Sequence, residues 1–244
     1  ADPPHEPRMI AESQTPVLLT PDGGNITDLL LRRLSDAPAH VAFEVPDGDG
    51  RLWRPITTAA FTDEVKGLAK GLIGVGVQQG DSVAIMAATR YEWAVADLAC
   101  WFAGAVVVPV YDTAALPQIV DIISDASVRL ALTGDTGQAS TMAEAFASVG
   151  VQSLGVWTMD ASGADFAALM RRGASISDET LDARRAAVGL NDVATIVYTS
   201  GTTGQPKGAL LTHRNFVHQV LNVQAAYAEV LTDAGNTVIF LPMA

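Results

Sequence analysis

Two runs of five apolar residues, Val83–Ala87 and Val106–Val110, stand on either side of a helical stretch. Neither run alternates polar with apolar residues, so neither reads as a strand with one face in water. Unalternated runs of this length, spaced by helices, are what a parallel sheet covered on both faces requires. Further runs of this kind are predicted at Leu130–Thr133, Leu154–Thr158, Val193–Tyr198 and Thr237–Leu241. Helices are predicted between them. One carries Phe61, Val65, Leu68, Leu72 and Ile73 and is capped by Thr57 or Thr58. The others cover Trp93–Phe102, Thr113–Ser124 with Pro117 in its first turn, Ser140–Ser148, Asp165–Arg172, Asp178–Val188 and His213–Val230. The expected fold is therefore α/β, with a doubly wound, mostly parallel sheet and flanking helices.

Ahead of this region, Val41–Val45 and Leu52–Ile56 flank Asp47-Gly48-Asp49-Gly50, the pattern of a β-hairpin. Residues Ala1–Asn25, rich in Pro, Gly and small polar residues, read as a loosely ordered lead-in, and 26–244 as one unit. The sequence Phe240-Leu241-Pro242-Met243-Ala244 follows directly on the last predicted strand. A sheet finishing there would keep a bare edge, so a fragment of a larger domain is expected.

Composition narrows the function classes. With 49% hydrophobic residues among 244, the chain can bury a sizeable core, which excludes a disordered or disulfide-stapled chain. A net charge of −12 argues against nucleic acid or general attraction to anionic lipid, because both need a basic footprint. The single Cys100 cannot pair internally; a buried thiol in a reducing, cytoplasmic setting is expected. The opening residues hold Pro3, Pro4 and Pro7 and no apolar core of a signal peptide. Ala94–Tyr111 is the most membrane-like stretch, but Asp97, Gly104 and Pro109 make it a buried helix and strand rather than a span. Peripheral membrane contact stays open on this reading.

The segment richest in chemistry is Ala194-Thr195-Ile196-Val197-Tyr198-Thr199-Ser200-Gly201-Thr202-Thr203-Gly204-Gln205-Pro206-Lys207-Gly208. A buried strand runs into a loop holding the hydroxyls of Thr199, Ser200, Thr202 and Thr203, the glycines Gly201, Gly204 and Gly208, and one of only three lysines. Glycines let successive backbone N–H groups turn inward into an anion-binding nest. Hydroxyls add rotatable donors, and Lys207 adds a compact positive charge. In so acidic a chain this local concentration of donors stands out, since the background field repels polyphosphate. The loop is not a Walker A motif: Lys207 follows Pro206 and precedes Gly208, with no Ser or Thr leading into a helix.

With Leu211-Thr212-His213 after it, this loop resembles the phosphate-loop signature of the adenylate-forming (AMP-binding) enzymes, which include acyl-CoA synthetases, luciferases and peptide-synthetase adenylation domains. Tyr91-Glu92-Trp93, Asp97-Leu98-Ala99-Cys100 and Gly104-Ala105-Val106-Val107-Val108-Pro109-Val110-Tyr111-Asp112-Thr113 resemble the long-chain fatty-acid–CoA ligase branch. Leu241-Pro242-Met243-Ala244 resembles the start of the family's next motif. The resemblance implies the N-terminal part of a large adenylation domain. It implies ATP-dependent activation of a long-chain fatty acid, first to an acyl-adenylate with release of pyrophosphate, then to an acyl-CoA. It also implies phosphate contact by Thr199, Ser200, Gly201, Thr202, Thr203, Gly204 and Lys207, with Lys207 as the catalytic residue neutralising the β/γ end. ATP, Mg²⁺ and coenzyme A follow from the same resemblance, the last two with no residue of this chain assigned, and a homodimer is left open. Rival readings are a fatty-acyl-AMP ligase serving a carrier protein, an aromatic or medium-chain acid–CoA ligase, and a non-catalytic nucleotide-binding module.

Several weaker patterns read as structure. Gly71, Gly74, Gly76 and Gly80 follow a helix and have the wrong spacing for a dinucleotide loop, so they read as a helix exit. His213 and His218 are five apart, with no metal-binding partner, and His213 reads as a cap or packing residue. Arg171-Arg172 and Arg184-Arg185 read as solvated helix faces, Trp93, Trp101 and Phe102 as core, and Asp112 or Thr113 as a helix cap.

Overall fold

The computed structural model describes residues 19–46, 50–159, 163–199, 207–229, 231, 232, 235, 237 and 238. The first helix, α1 (Thr27–Asp36), leads into a hairpin of β1 (Val41–Pro46) and β2 (Trp53–Thr57), which forms its own two-stranded antiparallel sheet. Then follow α2 (Thr58–Gly74), β3 (Ser82–Met86), α3 (Tyr91–Phe102), β4 (Val106–Val110), α4 (Leu116–Asp125), β5 (Val128–Thr133) and α5 (Thr136–Val149). The remaining elements are β6 (Val156–Thr158), α6 (Ala164–Arg172), α7 (Asp178–Ala186), β7 (Val193–Thr199), β8 (Lys207–Thr212) and α8 (His213–Ala226).

The large sheet has the order β6-β5-β3-β4-β7-β8. Its first five strands are parallel, and only β8 runs antiparallel, beside β7. The predicted doubly wound sheet and its preceding hairpin are therefore present. All five residues of β3 are buried, as an unalternated central strand should be. One face packs Val83, Ile85 and Val107 against α2, α3, α6 and Val217 of α8. The other packs Ala84, Met86, Val108 and Val110 against Ile119, Ile122 and Ile123 of α4 and Met142, Ala145 and Phe146 of α5. Trp93 and Phe102 lie fully inside the first core, and Trp101 donates its indole hydrogen to the Ala194 carbonyl at 2.9 Å.

The helix capping follows the sequence in part. Thr57 caps α2, its hydroxyl accepting from the Ala60 amide at 3.2 Å. Asp112 and Thr113 do not cap α4: the N-cap is Ala115, whose amide donates to the Gln118 side chain at 3.1 Å. The helix starts later than expected, at Leu116-Pro117, where proline's fixed φ and missing N–H suit the first turn. A larger difference is β8: Lys207–Thr212, for which no strand is predicted from the sequence, form a strand beside β7. Of the strand expected at Thr237–Leu241, residues 237 and 238 have no regular structure and the rest lie outside the described residues.

Two features of packing escaped the sequence pattern. Gly71 and Gly74 are helical residues of α2 against which the end of α6 is pressed. A Cβ on Gly71 would sit 2.4 Å from the Leu169 carbonyl oxygen, and one on Gly74 would sit 2.1 Å from that of Arg172. Across the same crossing, a Cβ on Gly173 would lie 2.3 Å from the backbone of Lys70. Gly71 and Gly74 thus serve a close helix crossing, while Gly76 (φ +106°) and Gly80 (φ +81°) form the expected helix exit. Arg184 and Arg185 are likewise not a solvated face. Arg185 pairs with Asp28 at 2.6 Å and donates to the Thr27 hydroxyl at 3.2 Å, while Arg184 donates to the Val77 carbonyl at 3.2 Å.

The described part of the lead-in is fastened along its length. The Leu19 amide donates to the Asn222 side chain at 2.8 Å, and Asn222 donates back to the Leu19 carbonyl at 2.8 Å. Arg214 donates to the Pro21 carbonyl at 3.2 Å, and Asn25 donates to the carbonyls of Arg185 and Val188, each at 3.0 Å. Among the described residues no helix is long and apolar enough to cross a membrane.

Candidate nucleotide site at the sheet edge

The connections out of the strands decide where a ligand can sit. From β3 the chain passes to α3 on one face; from β4 and β5 it passes to α4 and α5 on the other. Such switches open a crevice outside the carboxyl ends of the strands, the usual ligand position in open α/β sheets. Residues 87–90, 111–115, 134–135 and the end of β7 all meet at this edge.

Three of these connections are tied to one another. Arg90 donates to the Gly134 carbonyl at 3.2 Å and pairs with Glu92 at 2.7 Å. Gln138 accepts from the Gly134 amide at 2.9 Å and donates toward the Asp112 carbonyl at 3.4 Å. Asp135 caps α5 by accepting from the Gln138 amide at 2.8 Å. Gly134 leaves no space for a side chain, since a Cβ there would lie 2.9 Å from the Ala87 Cβ. Neither Arg90 nor Gln138 forms a motif by itself. Only the strand order, which brings β3 and β5 together, gives them a shared target.

The donor-rich segment is carried by β7 and β8. Thr199 is the last residue of β7 and Lys207 the first of β8, and the two are cross-strand partners. Of the predicted phosphate-binding residues, Thr199 and Lys207 are exposed at this edge. Ser200, Gly201, Thr202, Thr203 and Gly204 lie outside the described residues. One residue inward, Tyr198 is buried, and its hydroxyl donates to the Asp125 carboxylate at 2.5 Å. Burial and that carboxylate together push the Tyr198 phenol well above its ordinary range. Opposite Tyr198 stands Gly208, where a Cβ would sit 2.9 Å from Ile196 Cγ2 and 3.1 Å from Tyr198 Cζ.

Burial shifts the titratable groups behind the edge toward their neutral forms. His213, the first residue of α8, is 1% exposed and stands edge-on to Trp101 with centroids 6.4 Å apart. Burial brings its pKa down to about 4, against a smaller upward pull from Asp192, so the imidazole is neutral at pH 7. Burial likewise lifts Asp97 to about 7, a hydrogen bond from Trp93 opposing the rise. Cys100 is buried, and desolvation together with the Asp97 charge raises its thiol well above the ordinary value. No three His, Cys, Asp or Glu side chains converge on a metal-sized site among the described residues.

A mostly parallel α/β sheet whose strand β7 leads into a hydroxyl- and glycine-rich sequence places the chain among nucleotide-binding α/β proteins. The sequence pattern of the AMP-binding enzyme family matches residues 31–244, and the chain belongs to that family. Among its relatives, a long-chain-fatty-acid–CoA ligase of Mycobacterium tuberculosis, FadD15, is 34% identical over 221 residues, covering 90% of this chain and 36% of that protein. The 3-[(3aS,4S,7aS)-7a-methyl-1,5-dioxo-octahydro-1H-inden-4-yl]propanoyl:CoA ligase of the same organism is 34% identical over 207 residues, covering 82% of this chain and 38% of that one. The ATP-bound crystal structure of MatB from Rhodopseudomonas palustris superposes with a TM-score of 0.69 and 30% identity, over 84% of this chain and 38% of that chain. The chain thus spans a little over a third of the length of these relatives.

Proposed function

We propose that this chain binds the triphosphate of ATP through Thr199, Ser200, Gly201, Thr202, Thr203, Gly204 and Lys207. On this reading it serves an enzyme that activates a long-chain fatty acid, first to the acyl-adenylate and then to the acyl-CoA. The observation that carries the reading is the pairing of Thr199 with Lys207, which opens the loop between them at the carboxyl edge of the parallel sheet. Backbone N–H groups, hydroxyls and one ammonium suit phosphate oxygens. Mg²⁺ enters with the nucleotide as its counter-ion.

In the adenylation step a fatty carboxylate attacks the α-phosphorus and pyrophosphate departs. Charge grows on the leaving oxygens, and donors already aimed there stabilise it without reorganising. Lys207 is the cation assigned to that end. The fatty acid as substrate rests on the similarity to FadD15, and coenzyme A on the CoA ligases among the relatives. The test is calorimetric titration of the chain with MgATP. Saturable binding, competed by pyrophosphate, is expected, and no heat above dilution at millimolar nucleotide overturns the assignment.

A further inference from the structure

We infer that Tyr198 is a positioning residue for the nucleotide loop, held by Asp125, and that it fixes both stems of the loop at once. The inference rests on the phosphate-loop reading above and adds to it residues outside the loop. Two independent contacts support it.

The first contact anchors the outgoing stem. Tyr198 directly precedes Thr199, the last β7 residue before the loop. Its ring lies buried in the core beneath α4 and α5, among Val108, Val110 and Ile119. Its hydroxyl emerges at the end of α4 and donates to the Asp125 carboxylate at 2.5 Å, across 73 residues of sequence. A hydrogen bond to a charged acceptor is about twice as strong as a neutral one. Asp125 is set by a tight connection: two residues on, Ser127 carries φ +51°, and among the described residues it is the one non-glycine in that region.

The second contact anchors the returning stem. Tyr198 pairs across the strands with Gly208, the residue after Lys207. Gly208 has no side chain, so its backbone lies directly on the Tyr198 ring, where a Cβ would come within 3.1 Å. One aromatic ring therefore touches the strand leaving the sheet and the strand returning to it. The hydroxyl bond ties the far end of the ring to the end of α4. The separation of Thr199 from Lys207, and with it the mouth of the loop, follows from that ring.

Tyr198→Phe removes the hydroxyl and keeps the ring on Gly208. It is expected to weaken MgATP binding roughly tenfold, with the melting temperature lowered by only a few degrees. Asp125→Ala should do the same, and the double variant should be no worse than either single one, because they break one bond. Asp125→Asn keeps an acceptor for the hydroxyl and should remain within about threefold of wild type. Hydrogen exchange supplies a readout that needs no nucleotide: the amides of Thr199 and Lys207 should exchange faster in Tyr198→Phe while those of β3 do not change. Unchanged MgATP affinity and unchanged exchange in Tyr198→Phe overturn the inference. A wild-type chain that binds no MgATP sinks the phosphate-loop reading instead, and exchange at Thr199 and Lys207 then decides whether Tyr198 holds the stems.

Discussion

The indole of Trp101, at the end of α3, donates its hydrogen to the carbonyl of Ala194 in β7, and the same ring faces His213 at the start of α8. One side chain thus joins the central helix of the first core to the strand and helix on either side of the β8 edge. Trp101→Phe keeps most of the apolar volume but leaves the Ala194 carbonyl without its donor. An unpaired buried carbonyl costs about 1–3 kcal/mol, and denaturant unfolding should show a loss of that size. A loss below about 0.5 kcal/mol removes the indole bond from the account.

The buried titratable groups give stability an unusual pH profile. His213 has a folded pKa of about 4, below its unfolded value, so its contribution is complete above pH 6.5 and is lost as pH falls toward 4. Asp97, at about 7, lies above its unfolded value, so its contribution is complete below about pH 4 and is lost as pH rises toward 7. The two slopes oppose each other across the same window. Asp97→Asn removes one of them. It should raise stability at pH 7.5 by roughly 1–3 kcal/mol and make the remaining loss on acidification steeper. Thermal melts of both proteins between pH 4.5 and 7.5 check this, and parallel curves refute it.

The glycines of α2 make opposite predictions a turn apart. Ala is favoured over Gly in a helix by about 1 kcal/mol. At Gly67 a Cβ would meet the Met170 side chain at ordinary contact distance, sulfur at 3.6 Å and Cγ at 3.8 Å, so Gly67→Ala should stabilise by up to that amount. At Gly71 the Leu169 carbonyl stands in the way at 2.4 Å, and the α2–α6 crossing must part. Gly71→Ala should cost about 3 kcal/mol, measured by the same unfolding experiment.

Lys207→Ala tests the charge assigned to the β/γ end. The side chain is exposed at the start of an edge strand, so the fold should be retained. In the adenylating enzyme the change should slow acyl-adenylate formation by about 10²-fold or more, read by pyrophosphate release. An unaltered rate removes Lys207 from the reaction.

The sequence showed the parts of the fold whose physics is local. The runs at β3, β4 and β5 carry their two-sided burial in their composition, and Thr57 announces the start of α2. The strand β8 was hidden for a physical reason. Gly208-Ala209-Leu210-Leu211 does not alternate, Lys207–Leu210 are exposed, and among the described residues β8 pairs with β7 alone. The glycine stripe was visible as letters but not as a crossing, because α6 lies about a hundred residues away. A still greater separation, 157 residues, concealed the tie between Arg185 and Asp28. At the site, Thr199 and Lys207 could be read from the loop itself. Tyr198 and Asp125 could not be read as a pair, since what joins them is the passage of α4 beneath β7.

The fastening of Leu19 to Asn222 also bears on the order of synthesis. A ribosome delivers Leu19 some two hundred residues before its partner, so the strap cannot close while the sheet is forming. Pro21 and Asp28 wait in the same way for Arg214 and Arg185. The segment around Leu19 therefore cannot dock before α8 has emerged, and a pause in translation ahead of α8 would leave it unlatched.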